Sequence, residues 1–237
     1  PVYIGIQKGF FEEAGLKVDI IYVQSSAALV QQLAAGSLDI CMSTGLVDPI
    51  RAIDQGAAIS IVRFEAQAPP YALVAKSSIK SLKDLKGKVL ASNGQGSVST
   101  YEVGKMLERE GLTIADVDLR ILPFTQMGIA FRNKAIDAGI LIPPFVWQLQ
   151  EQGLAVPFAA VDELVQPQPM TIAVIMANSE WVKGNKDLVQ RYMTAWLRGA
   201  RDYCQAYHGA SNRQEVIDEL VNSKTEPRRE LLEKYPW

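Results

Sequence analysis

Residues 1–42 have the sequence PVYIGIQKGFFEEAGLKVDIIYVQSSAALVQQLAAGSLDICM, and their pattern decides the fold. Segments with apolar residues at helical spacing alternate with short runs rich in Val and Ile, which favour strands. The predicted elements are a helix at 1–14, a strand at 17–23, a helix at 26–35 and a strand at 38–42. Gly15 and Gly36 stand where a helix ends in the left-handed conformation. This alternation predicts an α/β protein with mostly parallel sheets.

The same alternation continues along the chain. The predicted elements are helix 46–55, strands 58–65 and 88–91, helix 98–110, strand 117–122, helix 126–133, strand 137–141, helix 144–152, and strands 155–159 and 171–177. Two segments with paired prolines, QAPPYALVAKSS and VDELVQPQPM, interrupt it. Because Pro cannot donate to a strand ladder, we predict that the chain crosses between two lobes there. The predicted lobes are 1–68 with 170–237, and 69–169.

The composition excludes several classes of protein. The 237 residues carry a net charge of -2, and Lys and Arg are scattered among acids, so we predict no nucleic-acid partner. No apolar run reaches the roughly 20 residues of a membrane-spanning helix. Pro1 stands where Met is expected, so we expect an export signal to lie upstream. Cys41, Cys204 and His208 lack metal-ligand spacing, and we predict no metal, no cofactor and no catalytic residue.

Five stretches together carry a resemblance to a known family. They are PVYIGIQKGFFEEAGLKVDI, LAAGSLDICMSTGLVDPIRAIDQGA, YALVAKSSIKSLKDLKGKVLASNGQGSVSTYEVGKMLEREGL, AIDAGILIPPF and LVQRYMTAWLRGA. In this order they resemble the periplasmic solute-binding proteins for nitrate, sulfonates, taurine and the pyrimidine precursor of thiamine. The resemblance implies the two-lobed type II periplasmic-binding-protein fold with two hinge strands. It also implies a monomer, periplasmic or otherwise extracytoplasmic, that delivers a small-molecule ligand to an ABC permease in the inner membrane.

The first candidate binding segment follows the strand at 38–42. Ser43, Thr44 and Gly45 place hydroxyl groups just before a predicted helix, and a helix start suits an anion because its N–H groups and dipole carry positive charge. Ordinary helix capping explains the same residues.

The second candidate segment is Ser92–Tyr101, a glycine-rich turn between a strand and a helix. It contains neither a Walker A motif nor a GxGxxG fingerprint. In the resembling family this stretch usually has the pattern Gly-Ser-x-x-His-Tyr, which Gly96, Ser97 and Tyr101 match, while Thr100 stands in the place of His. We select Gly96, Ser97 and Thr100 as ligand-binding residues, with a purely structural turn as the alternative.

The third candidate segment is Ile142–Phe145. Relatives often have a carboxylate where this chain has Pro143, so we expect an amino group on the ligand to be disfavoured. Pro143, Phe145 and Phe124 then form an apolar wall for an organic ligand, and Tyr71 follows the first crossing; core packing is the alternative for each Phe. Asp48 and Arg63 are further polar candidates that we place outside the main set, because solvated surface roles explain both.

Three functions are compatible with these features. The leading one is the substrate-binding component of an ABC importer that captures a small organic anion of the sulfonate or carboxylate type, aromatic ones included. An enzyme on the same scaffold, such as a desulfinase or a thiamine-pyrimidine synthase relative, is the alternative. The synthase resemblance requires a cysteine-rich motif and a His in the cleft, and the sequence has neither. The effector domain of a transcription regulator would carry a helix-turn-helix segment, which this sequence lacks.

Overall fold

The computed structural model describes residues 1–23, 25–65, 71–165 and 171–235. Its helices are α1 (Val2–Gln7), α2 (Phe10–Glu13), α3 (Ser26–Ala34), α4 (Val47–Asp54), α5 (Val98–Glu108), α6 (Phe124–Arg132), α7 (Phe145–Glu151), α8 (Val161–Leu164), α9 (Ser179–Gly184), α10 (Lys186–Tyr207), α11 (Arg213–Asn222) and α12 (Arg229–Lys234). Its strands are β1 (Thr44–Gly45), β2 (Ile59–Phe64), β3 (Ala72–Ala75), β4 (Val89–Ser92), β5 (Asp118–Ile121), β6 (Ala138–Leu141), β7 (Val156–Ala160) and β8 (Ala173–Asn178). Two compact units result, one of Pro1–Tyr22 with Glu180–Trp237 and one of Val23–Ser179.

The first unit is built from helices. α1 and α2 pack against α10, whose Tyr192, Ala195 and Trp196 are buried, as the apolar stripe of this segment requires. The single helix predicted at 1–14 is wrong: it breaks at Gly9, which has a φ of 73° and lies between α1 and α2. Glycine adopts this left-handed conformation without steric cost, which is why the break falls there.

The second unit contains two sheets, of which the smaller has the order β1-β8-β2. Its described strand pairs are antiparallel, so the prediction of a mostly parallel sheet is wrong for this part. β8 lies between β1 and β2 and runs antiparallel to both. Residues 17–23 were predicted as a strand, but no strand is assigned to the described ones among them; the strand predicted at 38–42 is reduced to a bridge between Ile40 and Ala177.

The larger sheet has the order β5-β4-β6-β3-β7. β4 is parallel to both β5 and β6, and β3 is antiparallel to its neighbours β6 and β7, so β3 alone is inverted among the described strands of this sheet. The predicted parallel arrangement therefore holds except for β3. A core of apolar residues that includes Leu73, Leu90, Met106 and Ile140 lies between this sheet and its helices.

The two sheets correspond to the two predicted lobes in sequence. β1, β2 and β8 come from 1–68 and 170–237, and β3 to β7 come from 69–169. The predicted crossing points at 66–70 and 166–170 lie outside the described residues, so the lobe boundaries stay a prediction. None of the described helices combines the length and apolar character needed to cross a membrane.

Candidate functional site

The first predicted segment forms a short strand rather than a helix cap. Thr44 and Gly45 make up β1 and pair with Val174 and Ala173 of β8, and α4 begins two residues later. The hydroxyl group of Ser43 forms a hydrogen bond with the Glu65 carboxyl group. The capping interpretation is therefore wrong for Thr44 and Gly45.

Gly45 brings the first and second predicted segments together. A Cβ atom on Gly45 would lie 3.3 Å from Cγ2 of Val98, the first residue of α5. Ser43, Thr44 and Gly45 of the smaller sheet therefore lie near the glycine-rich turn of the larger sheet, as the binding hypothesis requires.

The glycine-rich turn is held by its own hydroxyl groups. Ser97 Oγ donates to the Gly94 carbonyl oxygen at 2.8 Å, and Thr100 Oγ1 donates to the same oxygen at 2.5 Å. Ser92 Oγ lies 2.7 Å from Thr100 Oγ1, and Thr100 is only 8% exposed. Thr100 thus shapes the turn, whereas Ser97 remains partly exposed beside it. Both stay predicted ligand residues, with Ser97 better placed to meet a ligand.

Gly96 faces charged side chains of α4. A Cβ atom on Gly96 would lie 2.5 Å from Arg51 Nη1 and 3.1 Å from Asp48 Oδ1. Asp48 also accepts a hydrogen bond from the Ser26 hydroxyl group. The absence of a side chain at Gly96 is what allows the guanidinium group to approach the turn. Sequence reasoning missed Arg51, because no motif connects it to the turn.

The start of α5 lies beside the basic and acidic side chains, Arg51 and Asp48, that meet at Gly96. Ser97 is its N-cap residue, but the Ser97 hydroxyl group donates to Gly94 instead of accepting from the helix. The first N–H groups of a helix have no acceptor within it, and its dipole adds positive charge at this end. The start of α5 and the Arg51 guanidinium group therefore offer donors suited to an anionic group at Gly96, next to the carboxyl group of Asp48.

The predicted aromatic residues form a row. The ring centroids of Tyr71 and Phe124 are 6.3 Å apart, and those of Phe124 and Phe145 are 6.1 Å apart. Phe124 and Phe145 also line an opening of about 140 Å³ between α6 and α7. Pro143 precedes α7, is joined to Pro144 by a cis peptide bond, and is half-buried. The row offers flat apolar surface for an organic ligand.

Two buried carboxyl groups were not foreseen from the sequence. Glu102 on α5 is 0% exposed, and neither of its carboxyl oxygens has a hydrogen-bond partner among the described residues. Burial raises its pKa to about 8. Burial also raises the pKa of Glu65. The hydrogen bond from the Ser43 hydroxyl group and the charge of Arg63 lower this pKa and so partly offset the rise. The sequence contained one signal of this: Glu102 falls at an inward-facing position of the predicted helix. Such a position is unusual, because Glu is almost never fully buried without a partner.

Cys41 and His208, the two groups considered for catalysis, belong to different compact units. Cys41 is 4% exposed, and burial raises the pKa of its thiol to about 12, so the nucleophilic thiolate is disfavoured at neutral pH. His208 follows α10 in the other unit. Within 1–23, 25–65, 71–165 and 171–235, no three His, Cys, Asp or Glu residues are grouped to hold a metal ion.

Solved structures of known proteins share this fold. The alkanesulfonate-binding protein SsuA from Xanthomonas axonopodis pv. citri, bound to MOPS, superposes with a TM-score of 0.83 at 20% identity, over 98% of this chain and 78% of SsuA. The periplasmic nitrate-binding protein NrtA from Synechocystis PCC 6803 gives a TM-score of 0.73 at 16% identity, over 93% of this chain and 62% of NrtA. The fold is therefore that of the periplasmic binding proteins, which confirms the predicted fold class.

The sequence relationship identifies the family. The NMT1/THI5-like family model matches residues 1–207, and the chain belongs to this family. The riboflavin-binding protein RibY from Chloroflexus aurantiacus is 26% identical over 206 residues, which are 85% of this chain and 58% of RibY. The chain thus spans less than two thirds of the length of that relative. The resemblance predicted from the five sequence stretches is confirmed.

Proposed function

We propose that this chain is the substrate-binding component of an ABC importer and captures a small organic anion between its two sheets. The anion is of the sulfonate or carboxylate type, aromatic ones included. The observation that carries the proposal is the meeting of Arg51 and the start of α5 at Gly96. A guanidinium group can form two parallel hydrogen bonds with a carboxylate or sulfonate, and backbone N–H groups add further donors.

The aromatic row supports an organic anion over a small inorganic one. Tyr71, Phe124 and Phe145 would contact the apolar body of the ligand, while Arg51 and Ser97 would hold its charged group. SsuA, with a similar fold, is an alkanesulfonate-binding protein, and RibY is a riboflavin-binding protein, so organic ligands occur among the similar proteins.

The remaining parts of the proposal follow from the family. The protein acts as a monomer, extracytoplasmic or periplasmic, and its loaded form delivers the ligand to an ABC permease in the inner membrane. Binding occurs without turnover, in agreement with the disfavoured thiolate of Cys41.

The test is a ligand panel with a charge-removing variant. Sulfonates, aromatic and aliphatic carboxylates, nitrate and pyrimidines are screened by thermal shift, and hits are measured by calorimetry. We expect Arg51→Ala to weaken the binding of a sulfonate or carboxylate hit by about tenfold or more, since hydrogen bonds to charged groups contribute about 1.5–3 kcal/mol. Arg120→Ala is the matched control, because Arg120 is 60% exposed on β5 and pairs with Asp118. Equal affinities of Arg51→Ala and wild type would reject the proposed anion site.

A further inference from the structure

The opening between α6 and α7 is a pocket with a mostly apolar lining. Its volume is about 140 Å³, and we call it the α6–α7 pocket. The apolar part of its lining comes from both helices and from the last residue of β6, and consists of Phe124, Ile129, Leu141, Phe145 and Leu149. In other proteins, a cavity of about 150 Å³ lined by such side chains holds one benzene molecule. The α6–α7 pocket therefore has the size and the lining for one six-membered ring.

Gly128 keeps the α6–α7 pocket open. It lies in the middle of α6, and its backbone does not have the left-handed conformation that requires glycine. Gly is a poor helix former, and a Cβ atom at this position would meet only Leu149 Cδ2, at an ordinary contact distance of 3.9 Å. Neither the backbone nor the packing of α6 therefore requires glycine there. The missing side chain instead provides free volume in the pocket.

The strand order places the start of the α6–α7 pocket near the glycine-rich turn. β4 lies between β5 and β6 and is parallel to both, so the turn after β4 lies at the same edge of the sheet as the starts of α6 and α7. Phe124 and Phe145 begin these two helices and line the pocket. Neighbouring strands are about 5 Å apart, which is less than the length of a small aromatic anion. One ligand molecule can therefore contact both the turn and the pocket.

The far end of the α6–α7 pocket carries a positive charge. Arg132, in the last turn of α6, lines the pocket and donates to Gln152 Oε1 at 2.9 Å. It forms no ion pair with an acid in the part of the chain that the structure describes. A guanidinium group in this position favours an anionic molecule over a cationic one. The charge of the pocket thus agrees with an anionic ligand.

We propose that the ligand is an aromatic anion with a single six-membered ring, and that this ring occupies the α6–α7 pocket. The inference rests on the proposed function and names its ligand class. The anionic group lies at the glycine-rich turn near Arg51, and the ring packs against Phe124, Phe145 and Leu149. Gly128 is then the residue that determines how large the apolar part of the ligand can be. A short alkyl sulfonate or nitrate would not fill the pocket.

The test compares two sulfonates that differ in their apolar part. Calorimetry on the full chain measures benzenesulfonate and ethanesulfonate, which carry the same charged group. We expect wild type to bind benzenesulfonate about tenfold more tightly or better, because a buried ring removes more apolar surface from water than an ethyl group. Gly128→Leu fills the pocket, and we expect it to reduce this preference to about twofold while leaving the affinity for ethanesulfonate unchanged. Gly184→Leu, at an open position on α9, is the matched control and should keep the full preference.

A smaller substitution separates binding from folding. Thermal unfolding shows whether each variant is folded. If folded Gly128→Leu keeps the full preference, the ring does not lie in the α6–α7 pocket and the inference is overturned. Gly128→Ala adds one methyl group without a close contact, and we expect it to fold and to lower the preference by about threefold. It decides the test if Gly128→Leu does not fold, and an unchanged preference in Gly128→Ala then overturns the inference.

The two sulfonates also separate this inference from the proposed function. Equal binding of both by wild type, or no binding of benzenesulfonate, overturns the role of the α6–α7 pocket. The proposed function survives that result if ethanesulfonate or another organic anion binds in a manner that depends on Arg51. It fails separately if no organic anion binds wild type.

Discussion

At the residue scale, Glu102 makes the stability of the protein depend on pH. Its pKa is raised by burial from 4.5 to about 8, so the folded state holds a proton that the unfolded state releases between these values. The contribution to stability is complete below pH 4.5 and is lost as the pH rises through 8. We expect wild type to lose on the order of 5 kcal/mol of unfolding free energy across this window relative to Glu102→Gln.

The measurement is urea unfolding of both proteins at half-unit intervals from pH 4.5 to 9. Burial also raises the pKa of Glu65, and it raises the pKa of Glu219 to about 6. Both groups change the unfolding free energy of the two proteins alike, so the difference between the two curves isolates the effect of Glu102. A difference curve that is flat over this range would show that Glu102 is not buried as an acid.

At the element scale, the sequence predicted elements whose pattern is local. The strands at 58–65, 88–91 and 137–141 and the helix at 98–110 appear within two residues of the predicted limits, because alternation and helical spacing are properties of the segment itself. The left-handed conformations predicted for Gly15 and Gly36 are confirmed, with φ values of 68° and 71°. Strand direction was predicted less well, since the inversion of β3 and β8 depends on how the chain crosses between sheets.

The residues of the candidate site also fall into those that a local sequence pattern reveals and those that only the folded structure reveals. Ser97 and Gly96 could be selected because a glycine-rich turn after a strand is visible in the sequence. Arg51 could not, because its place beside the turn comes from the approach of α4, which is distant from the turn in the sequence. Thr44 was selected as a ligand residue just before a helix, with helix capping as the alternative. It instead belongs to a strand that pairs with β8, which lies about 130 residues further along the chain.

The packing of α1 on α10 gives a prediction for the helical unit. A Cβ atom on Gly199 would overlap the Pro1 carbonyl group and lie 3.1 Å from the Gly5 nitrogen, and backbone atoms cannot move aside as a side chain can. We expect Gly199→Ala to destabilise the protein by about 2–3 kcal/mol, although Ala is the better helix former. Thermal unfolding is the measurement. Gly184→Ala, at an open position on α9, is the matched control and should be neutral or slightly stabilising; a neutral Gly199→Ala would contradict this close packing.

At the scale of the whole molecule, binding without turnover has a defined thermodynamic signature. A ligand that binds only the folded state adds about 2.7 kcal/mol at a concentration of 100 times Kd, and a chain of this size gains roughly 2–4 °C in Tm per kcal/mol. We therefore expect a true ligand to raise Tm by about 5–10 °C at that ratio. Native mass spectrometry should show one ligand per chain, and the compound recovered after long incubation should be unchanged. Cys41→Ser should behave as wild type, because the Cys41 thiol is buried and protonated. Consumption of the compound by wild type but not by Cys41→Ser would instead establish an enzyme on this scaffold.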